Sequence, residues 1–425
     1  MWTSADRWKA FIVAAAFLLL GHSVSAQELK LDALIEEALK NNHDILVSQT
    51  KIEAAKFRVP QAKSLPDPMV SMGYQNVGLS RYSYGDYPES QWMFTASQMF
   101  PYFGKRELKG EMAQRDVESL QAMDEALRLR TIARVKELYY DLFLSYKNVD
   151  ILQDKADLFS RIEETALARY KAGKSPQQEV VMAQTEKYML LEKEEMFKQK
   201  ILSTEAMLRA TIGRDAKSPL GRPAEPSPTP FSTDMDTVLK KAHEQSPEIK
   251  SRERMIEAAK AKLAMSKKEY YPDVTIGASV FPRGGDFQEI WGLTATFNIP
   301  VYSGTKQGPG VQEAGASLSQ ARHELESMNY MIAAAVQDNY SMIRAADKLM
   351  DLYKNGLIPK TYQDFELALS GYSTGRIEAI VVITRLKTLL DYDILYWGQF
   401  VEREKAIARL CSIAKITDAQ KGVED

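Results

Sequence analysis

Few residues of this 425-residue chain are spaced for chemistry. Gly173-Lys174-Ser175 resembles the end of a phosphate-binding loop, but that loop needs an earlier glycine where Ala168 stands. The stretch also follows a helical pattern instead of a strand, so nucleotide binding is not expected. His43, His243 and His323 are each isolated, with no His or Cys at ligand spacing. The single cysteine, Cys411, excludes an internal disulfide and any multi-cysteine metal or iron–sulfur site. The 18 methionines invite a copper or silver site through soft thioethers, yet scattered Met reads as apolar filler. No acid–base constellation converges. The expectation is a protein without catalytic residues, cofactor or bound metal, and not an enzyme.

The elements say more than the side chains. Arg7 and Lys9 precede a short apolar run, Ala10–Gly21, and Val24-Ser25-Ala26 supplies small residues for cleavage. That pattern predicts a signal peptide over 1–26 and export from the cytoplasm. The next residue is Gln27, not Cys, so no lipid anchor is expected there. With 55 Lys+Arg against 57 Asp+Glu the chain lacks the basic excess of a nucleic-acid binder. A mean hydropathy of -0.33 excludes a polytopic helical membrane protein.

Beyond the signal, one unit is written twice. At an offset of 204, Asp32 matches Asp236, Ala38 matches Ala242, Ile45 matches Ile249, and Glu53-Ala54-Ala55-Lys56 matches Glu257-Ala258-Ala259-Lys260. Pro68 matches Pro272 in the same register. A first repeat is expected over 27–213, a Pro-rich linker over 214–232, a second repeat over 233–416, and a tail over 417–425. Each repeat reads helix, β-hairpin, long helical hairpin. The hairpins fall at about 68–100 and 273–299. The long helices fall at about 105–172 and 176–212, then about 310–372 and 376–414.

No Gly or Pro interrupts Glu111–Ala172. Within it Ile132, Val135, Tyr139, Leu142, Tyr146 and Val149 repeat at coiled-coil spacing. Ile332, Ala335, Asn339, Met342, Ala346 and Leu349 repeat it in the second copy, where Gly356 and Pro359 predict a kink. Gly173 predicts a left-handed helix cap, and Ser175-Pro176-Gln177-Gln178 predicts a capping box opening the next helix. Gly375 marks the matching tip.

Four segments alternate as strands. Val274, Ile276, Ala278 and Val280 oppose Thr275, Gly277 and Ser279, while Trp291, Leu293, Ala295, Phe297 and Ile299 oppose Gly292, Thr294, Thr296 and Asn298. Val70, Met72 and Tyr74 oppose Ser71, Gly73 and Gln75. In the fourth segment, Gln98 spoils the apolar face and Met93 and Met99 the polar one. Such strands suit a bilayer-crossing barrel, with Tyr82, Tyr84 and Tyr87 in an interfacial girdle. Four strands cannot close alone, so subunits must share them: two chains give eight strands, three give twelve. Ser71, Gln75, Thr275, Thr294 and Thr296 would face the lumen. A soluble periplasmic coiled-coil adaptor is the alternative, but it leaves the four amphipathic strands unexplained.

The repeat plan, the Pro-rich linker, Leu65-Pro66-Asp67-Pro68, Phe100-Pro101, Arg169-Tyr170-x-x-Gly173, Tyr372-x-x-Gly375 and Ala210-Thr211-Ile212-Gly213 together resemble the outer-membrane efflux protein family of TolC-like channels. The Leu-Pro-Asp-Pro stretch and the first tip are closest to its heavy-metal branch. The resemblance implies a mainly α fold with a β-barrel part: a homotrimer with a 12-stranded barrel in the outer membrane and a periplasmic α-helical barrel. It implies an export duct for tripartite efflux or type I secretion, working with a periplasmic adaptor and an inner-membrane pump of the resistance-nodulation-division type. Arg169, Tyr170, Gly173, Lys174, Tyr372, Gly375 and Arg376 would form the adaptor-docking tips. Many relatives ring the entrance with acidic residues after the second tip glycine. Val381 and Thr384 stand there, leaving Glu179 and Glu378 either as an entrance ring or as ordinary solvated charges.

Overall fold

A computed structural model describes residues 28–415. The expected signal segment 1–26 and the tail 417–425 lie outside the described residues. The chain forms two compact units. One comprises the residues up to Ala38, Arg134–Thr229 and Ile343–Lys405; the other comprises Leu39–Ala133, Pro230–Met342 and the residues from Ala406 on.

The internal duplication is visible in the elements. Helices α1, Leu31–Asn41, and α2, His43–Lys63, precede the first strands. Strands β1, Met69–Gln75, and β2, Gln91–Phe100, lead into α3, Lys105–Lys171, and α4, Gln177–Ile212. The order then repeats as α5, Met235–Gln245, α6, Pro247–Lys268, β3, Val274–Phe281, and β4, Ile290–Phe297. Helix α7, Gln307–Leu352, α8, Ile358–Ser373, and α9, Ala379–Ala414, complete the chain. Matched positions serve the same ends: Leu34 and Val238, Ala38 and Ala242, and Ile45 and Ile249 are all buried.

Helix α3 has 67 residues, about 100 Å at 1.5 Å per residue. No compact core requires such a helix, and its length follows from the absence of any breaker after Gly110. Its second-copy counterpart is interrupted. A π-helical turn, Tyr353–Leu357, separates α7 from α8, and Pro359 lies in the first turn of α8. Proline has no N–H to continue the ladder, so the helix absorbs the defect by widening one turn.

The seam of α7 departs from the expected one. Ile332, Val336, Asn339, Ile343 and Ala346 are its buried positions, whereas Leu349 is exposed and Ala335 and Met342 are only half-buried. The larger branched side chains take the inner face, and Ala335 and Met342 flank it.

In the first unit α3, α4, α8 and α9 share one core around Phe159, Ile162, Leu190, Phe365, Tyr372 and Leu386. A second core joins α1 to α3, α4 and α9 through Leu34, Leu142, Phe143, Leu208, Ile212 and Phe400. Each such side chain contributes about 1.5–3 kcal/mol when buried. The Pro-rich linker is clamped onto this unit. Glu404, buried on α9, accepts from the Thr229 N–H at 3.1 Å and the Thr229 hydroxyl at 2.5 Å. Arg403 donates to Glu404 at 2.6 Å, to the Thr229 carbonyl at 2.9 Å and to Asp347 at 2.5 Å. Arg214 grips Glu37 with two hydrogen bonds, of 2.6 and 2.7 Å.

In the second unit the four strands form one antiparallel sheet in the order β1-β2-β3-β4, so β1 and β4 are its edges. Among the described residues no helix is long and apolar enough to cross a membrane.

Candidate channel wall and hairpin tips

The pairing register sorts the strand residues into two faces. Met72 lies opposite Phe94, Phe94 opposite Val280, and Val280 opposite Trp291. Residues directly opposite share a face, so Val70, Ile276, Leu293 and Phe297 belong to the same apolar surface. That surface is open: Trp291 is 73% exposed and Leu293 71%. On the other face Ser71 lies opposite Thr95, Gln75 opposite Gln91, Thr275 opposite Thr296, and Gly277 opposite Thr294. The five polar residues singled out from sequence, Ser71, Gln75, Thr275, Thr294 and Thr296, therefore share one side of the sheet. Thr95 and Ser279 add a 2.8 Å hydroxyl–hydroxyl bond on that side.

The irregular residues of β2 have local explanations. Gln98, on the apolar face, turns its amide to the Pro66 carbonyl at 2.7 Å and the Met99 carbonyl at 3.0 Å, so its polar end is satisfied. Met93 lies over Gly73, where an added Cβ would come within 3.1 Å of its terminal methyl. At the far ends of the strands Tyr82 stacks on Tyr74 at 4.9 Å and on Tyr84 at 6.2 Å, while Tyr87 stays exposed.

A buried lysine fixes the helix-side ends of the strands. Lys105 donates to Asp273 at 2.9 Å, to the Tyr271 carbonyl at 3.3 Å and to Glu269 at 3.4 Å. Asp273 also accepts the Tyr102 N–H at 2.8 Å, and Tyr102 stacks on Tyr271 at 4.5 Å. This cluster is not legible from spacing, since its members lie 164–171 residues apart. The only local signal is Lys105 directly after Gly104, whose φ of +82° turns the chain into α3.

Both helical tips end alike. Gly173 at φ +67° and Gly375 at φ +80° take the left-handed conformation that glycine adopts without strain. Lys174 N–H reaches back to the Arg169 carbonyl at 2.9 Å, and Arg376 N–H to the Gly371 carbonyl at 2.9 Å, closing two Schellman motifs. The expected capping box is absent. Helix α4 starts one residue later, with Pro176 as its N-cap and no side-chain cap bond. The Ser175 hydroxyl is buried without a partner.

The structure draws three of the named tip residues and Glu179 together. Arg169 donates to the Tyr372 carbonyl at 2.6 Å and lies over the Tyr372 ring, 4.9 Å from its centre. Its charge thus sits at the C-terminal end of α8, where the helix field favours a cation. The Tyr372 hydroxyl donates to Glu179 at 3.2 Å, and both side chains are buried. Burial first, then the Glu179 charge, pushes the Tyr372 phenol up to about 12. Gly375 closes against Arg169, its Cβ position 3.4 Å from the guanidinium. Tyr170, Lys174, Arg376 and Glu378 remain exposed. Glu179 is therefore not an ordinary solvated charge, since its carboxylate is taken up inside the tip.

The other candidates for chemistry are dispersed. His43, His243 and His323 are exposed, and Cys411 is half-buried on α9. Among the described residues no group of three or more His, Cys, Asp or Glu could hold a metal. Gly173-Lys174-Ser175 joins two helices.

The chain shares its fold, a two-faced four-stranded sheet with paired long helical hairpins, with solved outer-membrane channels. The sequence model of the outer membrane efflux protein family matches residues 34–214 of this chain. Its place is the outer membrane, with a helical part on the periplasmic side. The nickel-cobalt-cadmium resistance protein NccC of Alcaligenes xylosoxydans xylosoxydans is 23% identical over 79% of this chain and 75% of its own. The cobalt-zinc-cadmium resistance protein CzcC of Cupriavidus metallidurans is 21% identical over 88% of this chain and 87% of its own. Among solved structures, the transmembrane channel protein CusC superposes with a TM-score of 0.78 at 14% identity, covering 91% of this chain and 92% of its own.

Proposed function

We propose that the protein is the passive outer-membrane duct of a tripartite export system for heavy-metal cations, working as a homotrimer. Its carrying observation is the sheet: one continuous apolar face, one polar face, and two unpaired edges in β1 and β4. Exposed edges invite pairing with another chain. Three copies joined edge to edge give twelve strands, a barrel wide enough for a lumen. Ser71, Gln75, Thr275, Thr294 and Thr296 line that lumen, and Val70, Ile276, Leu293 and Phe297 meet lipid. The repeats 27–213 and 233–416 supply the two halves of each protomer's wall, joined by the 214–232 linker, and the signal over 1–26 directs export.

The long helical pairs extend into the periplasm as a tunnel, and their tips dock to a periplasmic adaptor. Lys174 and Arg376 are exposed cations held outward by the two glycine caps, and Tyr170 lies beside them. Arg169, Tyr372 and Glu179 hold the two tips to one another, and Glu378 is the exposed carboxylate of the entrance. An inner-membrane pump of the resistance-nodulation-division type supplies the energy. The cargo assignment is supported by the metal-resistance names of NccC and CzcC.

Export is tested in cells lacking this protein. Restoring the wild-type gene lowers cell-associated cobalt, zinc or cadmium, and the double charge reversal Lys174→Glu with Arg376→Glu lowers adaptor pull-down and export together while leaving the trimer intact. Unchanged export by the double variant contradicts the docking role.

A further inference from the structure

The helix-side ends of the strands carry an apolar groove that leads to an unpaired guanidinium. Leu65, Phe100, Phe103, Val274 and Ile276 wall it and Arg106 stands at its margin, around a volume of about 350 Å³. Phe100 lies opposite Val274 in the register, and Ile276 follows on the same face, so the groove continues the apolar surface of the sheet. Phe103 is 87% exposed at its rim.

Arg106 is half-buried in the first turn of α3, where the helix field disfavours a cation. Its neighbour Lys105 faces the same penalty and has two carboxylates to answer it. Arg106 has no ion pair or hydrogen bond among the described residues. Glu107 is close in sequence but exposed, and no ion pair joins it to Arg106. On the other side Arg106 and Lys63 line an adjoining cleft, with the Lys63 stem lying across Gly110. The cleft's carboxylates Glu111 and Glu118 are taken by Arg115, so the apolar trough ends at two cations, Arg106 and Lys63, that no described residue pairs with, and one exposed carboxylate, Glu107.

We propose that this groove binds an anionic phospholipid of the periplasmic leaflet. One acyl chain lies against Phe100, Phe103 and Ile276, and the phosphate meets the Arg106 guanidinium, with Lys63 beyond it. A guanidinium matches phosphate oxygens bidentately, and an acyl chain removes the exposed apolar walls from water. A zwitterionic headgroup brings its own ammonium to a place where the unpaired cations, Arg106 and Lys63, outnumber the one unpaired carboxylate, Glu107, so phosphatidylglycerol is favoured over phosphatidylcholine. The proposal rests on the reading of the sheet as a membrane-crossing wall.

The test uses the purified full-length protein in detergent and measures retention of dioleoylphosphatidylglycerol and dioleoylphosphatidylcholine by native mass spectrometry. The wild type retains phosphatidylglycerol about fivefold more tightly, the factor for one cation–headgroup contact. Arg106→Gln abolishes that preference, Arg106→Lys restores it, and Phe103→Ser weakens both lipids without changing their ratio. Inorganic phosphate at the same concentration does not displace the lipid. Equal preference in wild type and Arg106→Gln overturns the proposal, as does displacement by inorganic phosphate. Insertion into vesicles of the same lipids is measured in parallel. A wild type that inserts without lipid preference sinks this inference alone, whereas one that never inserts sinks the channel reading with it.

Discussion

Tyr372 holds the two helical tips together with its whole side chain. The ring takes the Arg169 charge, the carbonyl accepts its N–H, and the hydroxyl reaches Glu179. Because the folded environment disfavours the phenolate, the contribution of Tyr372 to stability is complete below about pH 10, the usual phenol value. It is lost as pH rises through about 12. The near-ultraviolet titration difference between wild type and Tyr372→Phe should therefore centre near pH 12; a centre near 10 contradicts the burial. Glu404 poses a second residue-scale test. Replacing it by alanine leaves buried Arg403 with the Thr229 carbonyl and one carboxylate, Asp347, and should cost about 3–5 kcal/mol, measured by chemical unfolding. Neither arrangement is legible locally. Glu179 stands six residues after a tip glycine, as a solvated carboxylate also would, and its burial is decided by Tyr372, 193 residues away. Arg403-Glu404 sits within four consecutive charged residues, Glu402–Lys405, which read as a solvated stretch, and its partner Thr229 belongs to the linker.

Elements are more legible than sites because their causes are local. The αL glycines at both tips, the uninterrupted run behind α3 and the defect around Gly356 and Pro359 all follow from single residues acting on nearby backbone. Gly173 has open space around its Cβ position, so Gly173→Ala tests backbone strain alone. It should cost about 1–2 kcal/mol and raise amide exchange at the first tip; no change in exchange contradicts the cap. Leu386→Ala, in the core shared by four helices, should cost about 2–5 kcal/mol. The seam of α7 was harder to read, because Ala335 and Val336 both fit a helical repeat and only packing selects the larger one. The capping box failed for a similar reason. Pro176 suits the N-cap as well as the first helical turn, and the start of α4 shifts by one residue.

At the scale of the whole molecule, the proposed function has a chain with near-balanced charge and low mean hydropathy reach the membrane through four short strands. Alternation expected a polar and an apolar side for each of them, and the register puts the matching sides together. What one chain cannot contain is its own closure, since β1 and β4 end the sheet. The central claim is that three sheets close around the polar face. It is tested most directly by single-channel conductance of the purified protein in planar bilayers. Cysteine is placed at Thr294 or at Leu293, in a Cys411→Ala background, and a charged water-soluble thiol reagent is added. The account predicts that current through the Thr294→Cys channel is blocked while current through the Leu293→Cys channel is unaffected. Absence of conductance, or equal block at both positions, would contradict it.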